Sequence, residues 1–132
     1  MNDKELIKAA FEAREFSYCP YSGFAVGAAL LSADGRLYTG CNIENSAFSP
    51  TNCAERTAFF KAVSEGVKEF SAIAVVGGKR GEEIKEICPP CGVCRQVMKE
   101  FCSPDFRIIM AVSEKEYTEM SLEELLPAGF AM

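Results

Sequence analysis

The stretch FAVGAALLSADGRLYTGCNI (residues 24–43) contains two apolar runs that are separated by Asp34 and Gly35. An Asp-Gly pair between two such runs is a strong signal for a tight hairpin turn, because both residues tolerate backbone conformations with positive φ. The stretch therefore predicts two antiparallel strands.

The segments on either side of the hairpin predict two helices and a buried strand. Near the N-terminus, Asn2 or Asp3 can cap a helix whose apolar residues recur at helical spacing: Leu6, Ile7, Ala10 and Phe11. A second helix is predicted to open at residues 50–52 and to stop near Gly66. The run FSAIAVVGG (70–78) is continuously apolar, as expected for a strand that is buried on both faces.

The last third of the chain continues the alternation of helices and strands. A third helix is predicted to follow Pro90 and to end before Pro104. A buried strand, RIIMAV (107–112), comes next, followed by a strand or turn near residues 116–120 and a short helix in SLEELLP (121–127). A hairpin followed by alternating strands and helices indicates an α/β fold. We expect three α/β/α layers around a mixed sheet of about five strands.

Composition limits where the protein acts and what it binds. Its 132 residues predict a single domain over 1–132, and 48% apolar with 25% charged residues is typical of globular proteins. No apolar run approaches the roughly 18 residues of a membrane span, and the N-terminus lacks the apolar core of a signal peptide. We therefore expect a cytoplasmic protein. The net charge of −5 and the scattered basic residues argue against a nucleic-acid partner.

The cysteines suggest a metal or redox site. Seven is an odd number, which argues against a closed disulfide framework. Cys91-x-x-Cys94 is compatible with a redox pair, with half of a zinc site or with coincidence. Cys88 has the same spacing to Cys91, so a structural zinc site with four cysteines is a further alternative.

Cys53 favours a catalytic metal site over these alternatives. Cys53 and the Cys91/Cys94 pair each lie at a predicted helix start, where unpaired backbone N–H groups and the helix dipole stabilise thiolates. Two such helix ends facing each other can present three thiolates to one Zn²⁺ ion. Three protein ligands leave the fourth tetrahedral position open, which is the arrangement of a catalytic zinc site.

Glu55 and Arg56 can support this chemistry. Asn52-x-x-Glu55 has capping-box spacing, so Glu55 alone is explained well by helix capping. Two residues from a zinc ligand, however, its carboxylate can move a proton between water and a substrate nitrogen, and the chain has no histidine for that role. Arg56 can donate hydrogen bonds to a thiolate, and its alternative role is that of a solvated helix residue.

The motifs together resemble the zinc-dependent cytidine deaminases of the short homotetrameric type. They stand in family order along nearly the whole chain: YSGFAVGAAL (21–30), TGCNIEN (39–45), NCAERTA (52–58), PCGVCRQV (90–97) and ELLP (124–127). The resemblance implies one zinc ion per chain, held by Cys53, Cys91 and Cys94. It also implies that Glu55 is the proton shuttle and that the protein is a homotetramer with shared active sites.

The resemblance further implies how a nucleoside is bound. It assigns Asn42 and Glu44 to the ribose hydroxyls, and their alternative role is a polar strand exit. Phe24 and Phe130 are similar to the aromatic residues that enclose the base, Phe130 reaching in from a neighbouring subunit. Ordinary core packing is the alternative for both. Ala54 completes the implied substrate-binding set.

Two positions depart from the family pattern. Residue 48 is phenylalanine where a tyrosine is common, so any contact through that hydroxyl is missing. LPAGF (126–130) replaces the more usual order LPGAF, which affects the placement of Phe130. Cys88 is not a ligand position of the family, and we interpret it as a free thiol together with Cys19, Cys41 and Cys102.

The expected function is hydrolytic deamination of free cytidine and deoxycytidine to the uridines, with release of ammonia, in pyrimidine salvage. One alternative is a deaminase of a cytosine-nucleoside antibiotic of the blasticidin type, although CNIEN and CAERTA favour the nucleoside. Deamination of polynucleotide cytosines is disfavoured by the acidic charge. A non-catalytic module that zinc merely stabilises is the alternative from another class of protein, and it requires a closed site with four cysteines.

Overall fold

A computed structural model describes residues 1–132. Its four helices and five strands are, in chain order, α1 (Asp3–Arg14), β1 (Phe24–Ser32), β2 (Leu37–Cys41), α2 (Ala54–Ser64), β3 (Phe70–Lys79), α3 (Gly92–Phe101), β4 (Arg107–Ala111), β5 (Tyr117–Ser121) and α4 (Leu122–Leu125). The Asn2 side chain caps α1 by accepting a hydrogen bond from the Glu5 amide at 2.8 Å. None of these helices combines the length and the apolar character needed to cross a membrane.

The five strands form one mixed sheet in the order β2-β1-β3-β4-β5. The hairpin that the Asp-Gly turn predicts is present, because β1 and β2 pair antiparallel with Leu31 opposite Leu37. β3 and β4 are parallel and are connected through α3, whereas β1 and β3, and β4 and β5, are antiparallel. The predicted mixed sheet of about five strands is therefore confirmed.

Helices cover both faces of the sheet because neighbouring strand residues point to opposite sides. On one face, α1 buries Leu6, Ile7 and Ala10 against Ala29, Ala74 and Ile109. On the other face, Phe59 of α2 and Met98 of α3 pack against Leu30, Ile73 and Ile108. The central strand β3 is buried on both faces, as its continuous apolar run predicts. The result is the expected three-layer α/β/α arrangement.

Two strand glycines allow the helices to approach the sheet closely. A Cβ atom added at Gly27 of β1 would lie 2.1 Å from the Ala10 carbonyl oxygen of α1. One added at Gly40 of β2 would lie 2.4 Å from the Ala54 carbonyl oxygen, in the first turn of α2. Neither glycine can be replaced without moving a helix. Gly40 therefore helps to fix the position of the N-terminus of α2.

The start of α2 differs from the prediction. The helix was expected to open at residues 50–52, but Cys53 is the N-cap and Ala54 the first helical residue. Asn52 instead pairs with Ile43 through two backbone hydrogen bonds of 2.9 Å, so its backbone cannot enter the helix. This pairing brings the segment after β2 alongside the residue that precedes Cys53.

Candidate active site

Three cysteine sulfurs converge where the N-termini of α2 and α3 meet. Cys53 is the N-cap of α2, Cys91 is the N-cap of α3, and Cys94 lies in the first turn of α3. The Cys53 and Cys91 sulfurs are 3.7 Å apart, and those of Cys91 and Cys94 are 3.4 Å apart. Neither N-cap sulfur forms a capping hydrogen bond with the backbone of its own helix, so the sulfurs remain available to another ligand.

The donor set fits a zinc ion. Zinc–sulfur bonds of about 2.3 Å in a tetrahedron place the sulfur atoms about 3.8 Å apart. All three sulfurs here lie within 4.8 Å of one another and none is in a disulfide. Hydrogen bonds from Cys94 and Arg56 lower the pKa of Cys53 to about 5, whereas donating to Cys53 and burial raise the pKa of Cys94. Three thiolates this close need a cation to offset their mutual repulsion.

Cys88 lies outside this set. Only Cys53, Cys91 and Cys94 form the group that can hold a metal. The Cys88 sulfur packs against β3 instead, 2.8 Å from the point where a Cβ at Gly77 would lie. Burial raises the pKa of the Cys88 thiol to about 12, which keeps it protonated at neutral pH. The group of three leaves a tetrahedral position open, unlike a closed structural site with four cysteines.

Glu55 lies in the first turn of α2 and is only 4% exposed. The capping box with Asn52 does not form, because Cys53 is the N-cap and the Asn52 amide donates to the Thr57 hydroxyl at 3.2 Å. Burial raises the pKa of the Glu55 carboxyl to about 7, against the opposing effect of a hydrogen bond from its own amide. A carboxyl group with a pKa near neutrality can both accept and release a proton.

Arg56 is directed at the cysteine cluster. Its Nη2 donates to the Cys53 sulfur at 3.2 Å, and its Nε is buried without an acceptor. The side chain is therefore not a freely solvated helix residue. Its positive charge therefore lies next to the Cys53 sulfur, where it offsets part of the negative charge of the thiolates.

Asn42 and Glu44 flank Ile43, the residue that pairs with Asn52. The Asn42 side chain donates to the Phe24 carbonyl at 2.8 Å and accepts from the Val26 amide at 2.9 Å, which ties it to the start of β1. Glu44 accepts hydrogen bonds from the loop that precedes β1. Both side chains are thus held by the segment that contains Phe24. Both are also next to Ile43, which pairs with Asn52, the residue before Cys53.

The other residues assigned to substrate binding occupy three different environments. Phe24 is 40% exposed at the start of β1, so it is not a core residue and its ring is accessible to a ligand. Ala54 is fully buried as the first residue of α2. Phe130 is 70% exposed, and its carbonyl oxygen accepts a hydrogen bond of 2.9 Å from Gln96 of α3.

The LPAGF order has a structural consequence. Ala128 has a φ of 54°, in the left-handed region that glycine occupies with less strain. A Cβ at Gly129 would lie 2.9 Å from the Leu126 side chain, so glycine at this position relieves a contact. The turn before Phe130 therefore has a non-glycine residue, Ala128, in the left-handed conformation.

Sequence reasoning missed four residues that hold the site together. Ser17 donates to the Asn42 side chain and Ser22 donates to that of Glu44. Arg95 donates to the Pro90 carbonyl and to the Leu125 carbonyl, both at 2.7 Å, and Gln96 holds Phe130 as described above. Apart from Pro90, which lies five residues before Arg95, their partners are more than 20 residues away in sequence, so no local pattern indicates these contacts.

Comparison with known proteins agrees with this geometry. A family model described as the cytidine and deoxycytidylate deaminase zinc-binding region matches residues 1–110. The cytidine deaminase of Sporosarcina psychrophila is 50% identical over 131 residues, covering 99% of this chain and 93% of that protein. That of Halalkalibacterium halodurans is 49% identical over 130 residues, covering 98% and 95%.

Solved structures give the same result. A crystal structure of cytidine deaminase from Burkholderia pseudomallei has a TM-score of 0.88 at 45% identity, covering 98% of this chain and all of that one (100%). The enzyme from Mycobacterium tuberculosis has a TM-score of 0.84 at 37% identity, covering 100% and 99%. Because family model, sequence and structure agree over most or all of the chain, this protein belongs to the cytidine and deoxycytidylate deaminase family of zinc-binding proteins.

Proposed function

We propose that this protein catalyses the zinc-dependent hydrolytic deamination of cytidine and deoxycytidine to uridine and deoxyuridine, with release of ammonia. The observation that carries the proposal is the convergence of three cysteine sulfurs, all within 4.8 Å of one another, beside a glutamate that is 4% exposed. Relatives about 50% identical over almost the whole chain are named cytidine deaminases.

Cys53, Cys91 and Cys94 would hold the zinc ion. When bound, zinc lowers the pKa of water in its open position and so supplies a nucleophile near neutral pH. Arg56 orients the Cys53 sulfur through its hydrogen bond of 3.2 Å and offsets part of the thiolate charge. Three thiolates would otherwise make the site too negative to favour an ionised water.

Glu55 moves the protons. It accepts the proton that water loses as the oxygen adds to C4 of the pyrimidine, and it passes that proton to N3. It then takes the second proton from the hydroxyl now bonded to C4 and gives it to the amino group, so that the bond between C4 and the amino nitrogen breaks, ammonia leaves and the C4 carbonyl of uridine forms. Its burial excludes competing water, and its pKa of about 7 lets one carboxyl act in turn as base and as acid.

Asn42, Glu44, Phe24, Ala54 and Phe130 are proposed to bind the nucleoside. The Asn42 amide and the Glu44 carboxylate would bind a sugar hydroxyl, and the negative charge of Glu44 would disfavour a phosphate on the sugar. The ring of Phe24 would contact the nucleoside beside them. Ala54 contributes backbone at the start of α2. Phe130 would cover the base of a neighbouring subunit.

We further propose a homotetramer in which subunits complete each other's sites. Phe130 is 70% exposed and Phe48 is 75% exposed, and both side chains would be buried by a second copy. The whole chain, residues 1–132, would act as one domain in the cytosol. Seven free cysteines are compatible with that reducing compartment. By recovering free nucleosides, the enzyme would act in pyrimidine salvage.

The proposed function is tested by incubating the zinc-loaded protein with cytidine, deoxycytidine, cytosine and cytidine monophosphate. We expect ammonia and the corresponding uridine to form in equal amounts from the two nucleosides, and much slower conversion of cytosine and the monophosphate. Efficient turnover of either poor substrate would contradict the roles of Asn42 and Glu44. A blasticidin-type antibiotic in the same assay tests the alternative substrate.

A further inference from the structure

Three donors converge on the carboxylate of Glu44. The backbone amides of Tyr21 and Ser22 donate to Oε1 at 2.9 and 3.1 Å, and the Ser22 hydroxyl donates to Oε2. Both carboxylate oxygens are thereby fixed by one short loop. A carboxylate that accepts three such bonds is held in a single orientation, although it is exposed to solvent.

Ser22 also connects Glu44 to Phe24. The Ser22 oxygen accepts a hydrogen bond of 3.0 Å from the Phe24 amide while its own proton is donated to Glu44. The Phe24 carbonyl in turn accepts from the Asn42 amide at 2.8 Å. Three of the five residues proposed to bind the nucleoside, Glu44, Phe24 and Asn42, are therefore joined in one chain of hydrogen bonds that passes through the Ser22 hydroxyl.

The hydrogen bonds that Asn42 and Glu44 already make determine which of their atoms can still bind a ligand. The Asn42 oxygen accepts from the Val26 amide and from Ser17, so both of its lone pairs are used. One N–H of the Asn42 amide is still free to donate. The Glu44 Oε2 atom accepts only from Ser22, so it can accept one bond more. A single hydroxyl group that accepts from Asn42 and donates to Glu44 satisfies both.

We propose that Ser22 is a positioning residue that sets the selectivity of this site for a sugar hydroxyl, which we assign to the 3′ position because deoxycytidine, also a proposed substrate, has no 2′-hydroxyl. The inference rests on the proposed function, because it assumes that the nucleoside is bound by Asn42 and Glu44. Ser22 holds the Glu44 carboxylate where its remaining lone pair meets the hydroxyl that Asn42 also binds. Without Ser22, Glu44 loses one of three restraints and its link to Phe24.

The test compares cytidine with 3′-deoxycytidine as substrates of zinc-loaded wild type, Ser22→Ala and Ser22→Thr. We expect Ser22→Ala to lower kcat/KM for cytidine about tenfold, mainly through KM, because a hydrogen bond to a charged group is lost. Turnover of 3′-deoxycytidine should hardly change, so the ratio of the two kcat/KM values falls by the same factor. Ser22→Thr keeps the hydroxyl and should retain the wild-type ratio.

Ser64→Ala is the matched control, because that exposed hydroxyl bonds only to the Lys61 carbonyl at the end of α2. The dissociation constants of uridine and 3′-deoxyuridine, measured by calorimetry, should show the same loss of discrimination in Ser22→Ala. If Ser22→Ala leaves the ratio of the two kcat/KM values unchanged, which includes an equal fall in kcat/KM for both substrates, the proposed positioning role is wrong. A wild type that turns over neither substrate would overturn the proposed function itself.

Discussion

Cys53 combines two tasks in one residue, since it is both the N-cap of α2 and a member of the sulfur cluster. A cysteine is a weak cap compared with serine or asparagine, so its presence there is explained better by metal binding than by helix stability. The amide groups at the start of a helix favour the thiolate form that a metal requires.

Replacement of single cysteines should separate ligands from free thiols. Cys53→Ser should reduce bound zinc to well below one ion per chain, because two sulfurs cannot hold the ion as three do. The free energy of unfolding should fall as well, because the zinc ion would join α2 to α3. Cys88→Ser should keep its zinc, because that sulfur lies outside the cluster. Zinc content is measured by atomic emission. Loss of zinc in Cys88→Ser but not in Cys53→Ser would exclude the catalytic site.

Glu44 gives a prediction about pH. Hydrogen bonds from Ser22 and the Tyr21 amide lower the pKa of its carboxyl below the ordinary 4.5. For a lowered pKa, the ionised form and its bonds are fully present above the ordinary value and are lost as pH falls through the folded value. The KM for cytidine should therefore stay flat down to about pH 5. Below that pH, KM should rise as Glu44 is protonated, and in Ser22→Ala this rise in KM should begin at a higher pH. Identical profiles would show that Ser22 does not control this carboxylate.

At the scale of residues, the side chains of the metal site were easier to predict than the residues that hold the substrate-binding side chains in place. Residue types and spacing predict that Cys53, Cys91 and Cys94 share one metal site, and their sulfurs do lie together. The role of Glu55 as proton carrier, predicted from the same motif, stays a prediction. Ser22 was not identified, because a serine in a loop before a strand is common. Ser22 and Glu44 are 22 residues apart in sequence, and only the fold brings their side chains into hydrogen-bond contact.

At the scale of elements, Gly40 links the sheet to the site. We expect Gly40→Ala to reduce the free energy of unfolding by about 2–3 kcal/mol, because the added Cβ overpacks the contact between β2 and α2. The new atom would lie 2.4 Å from the Ala54 carbonyl and 2.6 Å from the Ala58 amide. Displacement of α2 should also lower zinc affinity. Urea unfolding and zinc titration measure the two effects.

Gly92→Ala is the matched control for that experiment. Gly92 is the first residue of α3, and a Cβ there meets nothing within 4 Å. Its free energy of unfolding should remain within about 0.5 kcal/mol of wild type. Equal effects in the two variants would show that close packing of α2 on β2 does not position the site.

Elements with a strong local signal were predicted well and those governed by tertiary pairing were not. The β1–β2 hairpin follows from Asp34 and Gly35, and β3 from its unbroken apolar run. The beginning of α2 was placed too early, because the Ile43–Asn52 pairing is formed by two segments outside regular strands. No property of residues 50–52 alone reveals that competing partner.

At the scale of the whole molecule, the C-terminal segment should matter for substrate binding more than for metal binding. Removal of residues 128–132 deletes Phe130, which is 70% exposed, but leaves the cysteines in place. We expect unchanged zinc content and a higher KM for cytidine, because the contact to the base is lost. Removal of Ala131 and Met132 alone is the control. A full-length protein that is fully active as a monomer on a sizing column would contradict shared sites.

The central claim is that Glu55 carries protons for a deamination at the zinc site that Cys53, Cys91 and Cys94 form. Its most direct test is kcat for cytidine in Glu55→Gln, compared with wild type at equal zinc content. Glutamine keeps the size of the side chain but cannot transfer the proton. We predict bound zinc like that of wild type and a kcat lower by at least roughly 10²–10⁴, the contribution typical of a general acid–base group. Near-normal turnover in that variant would contradict the account.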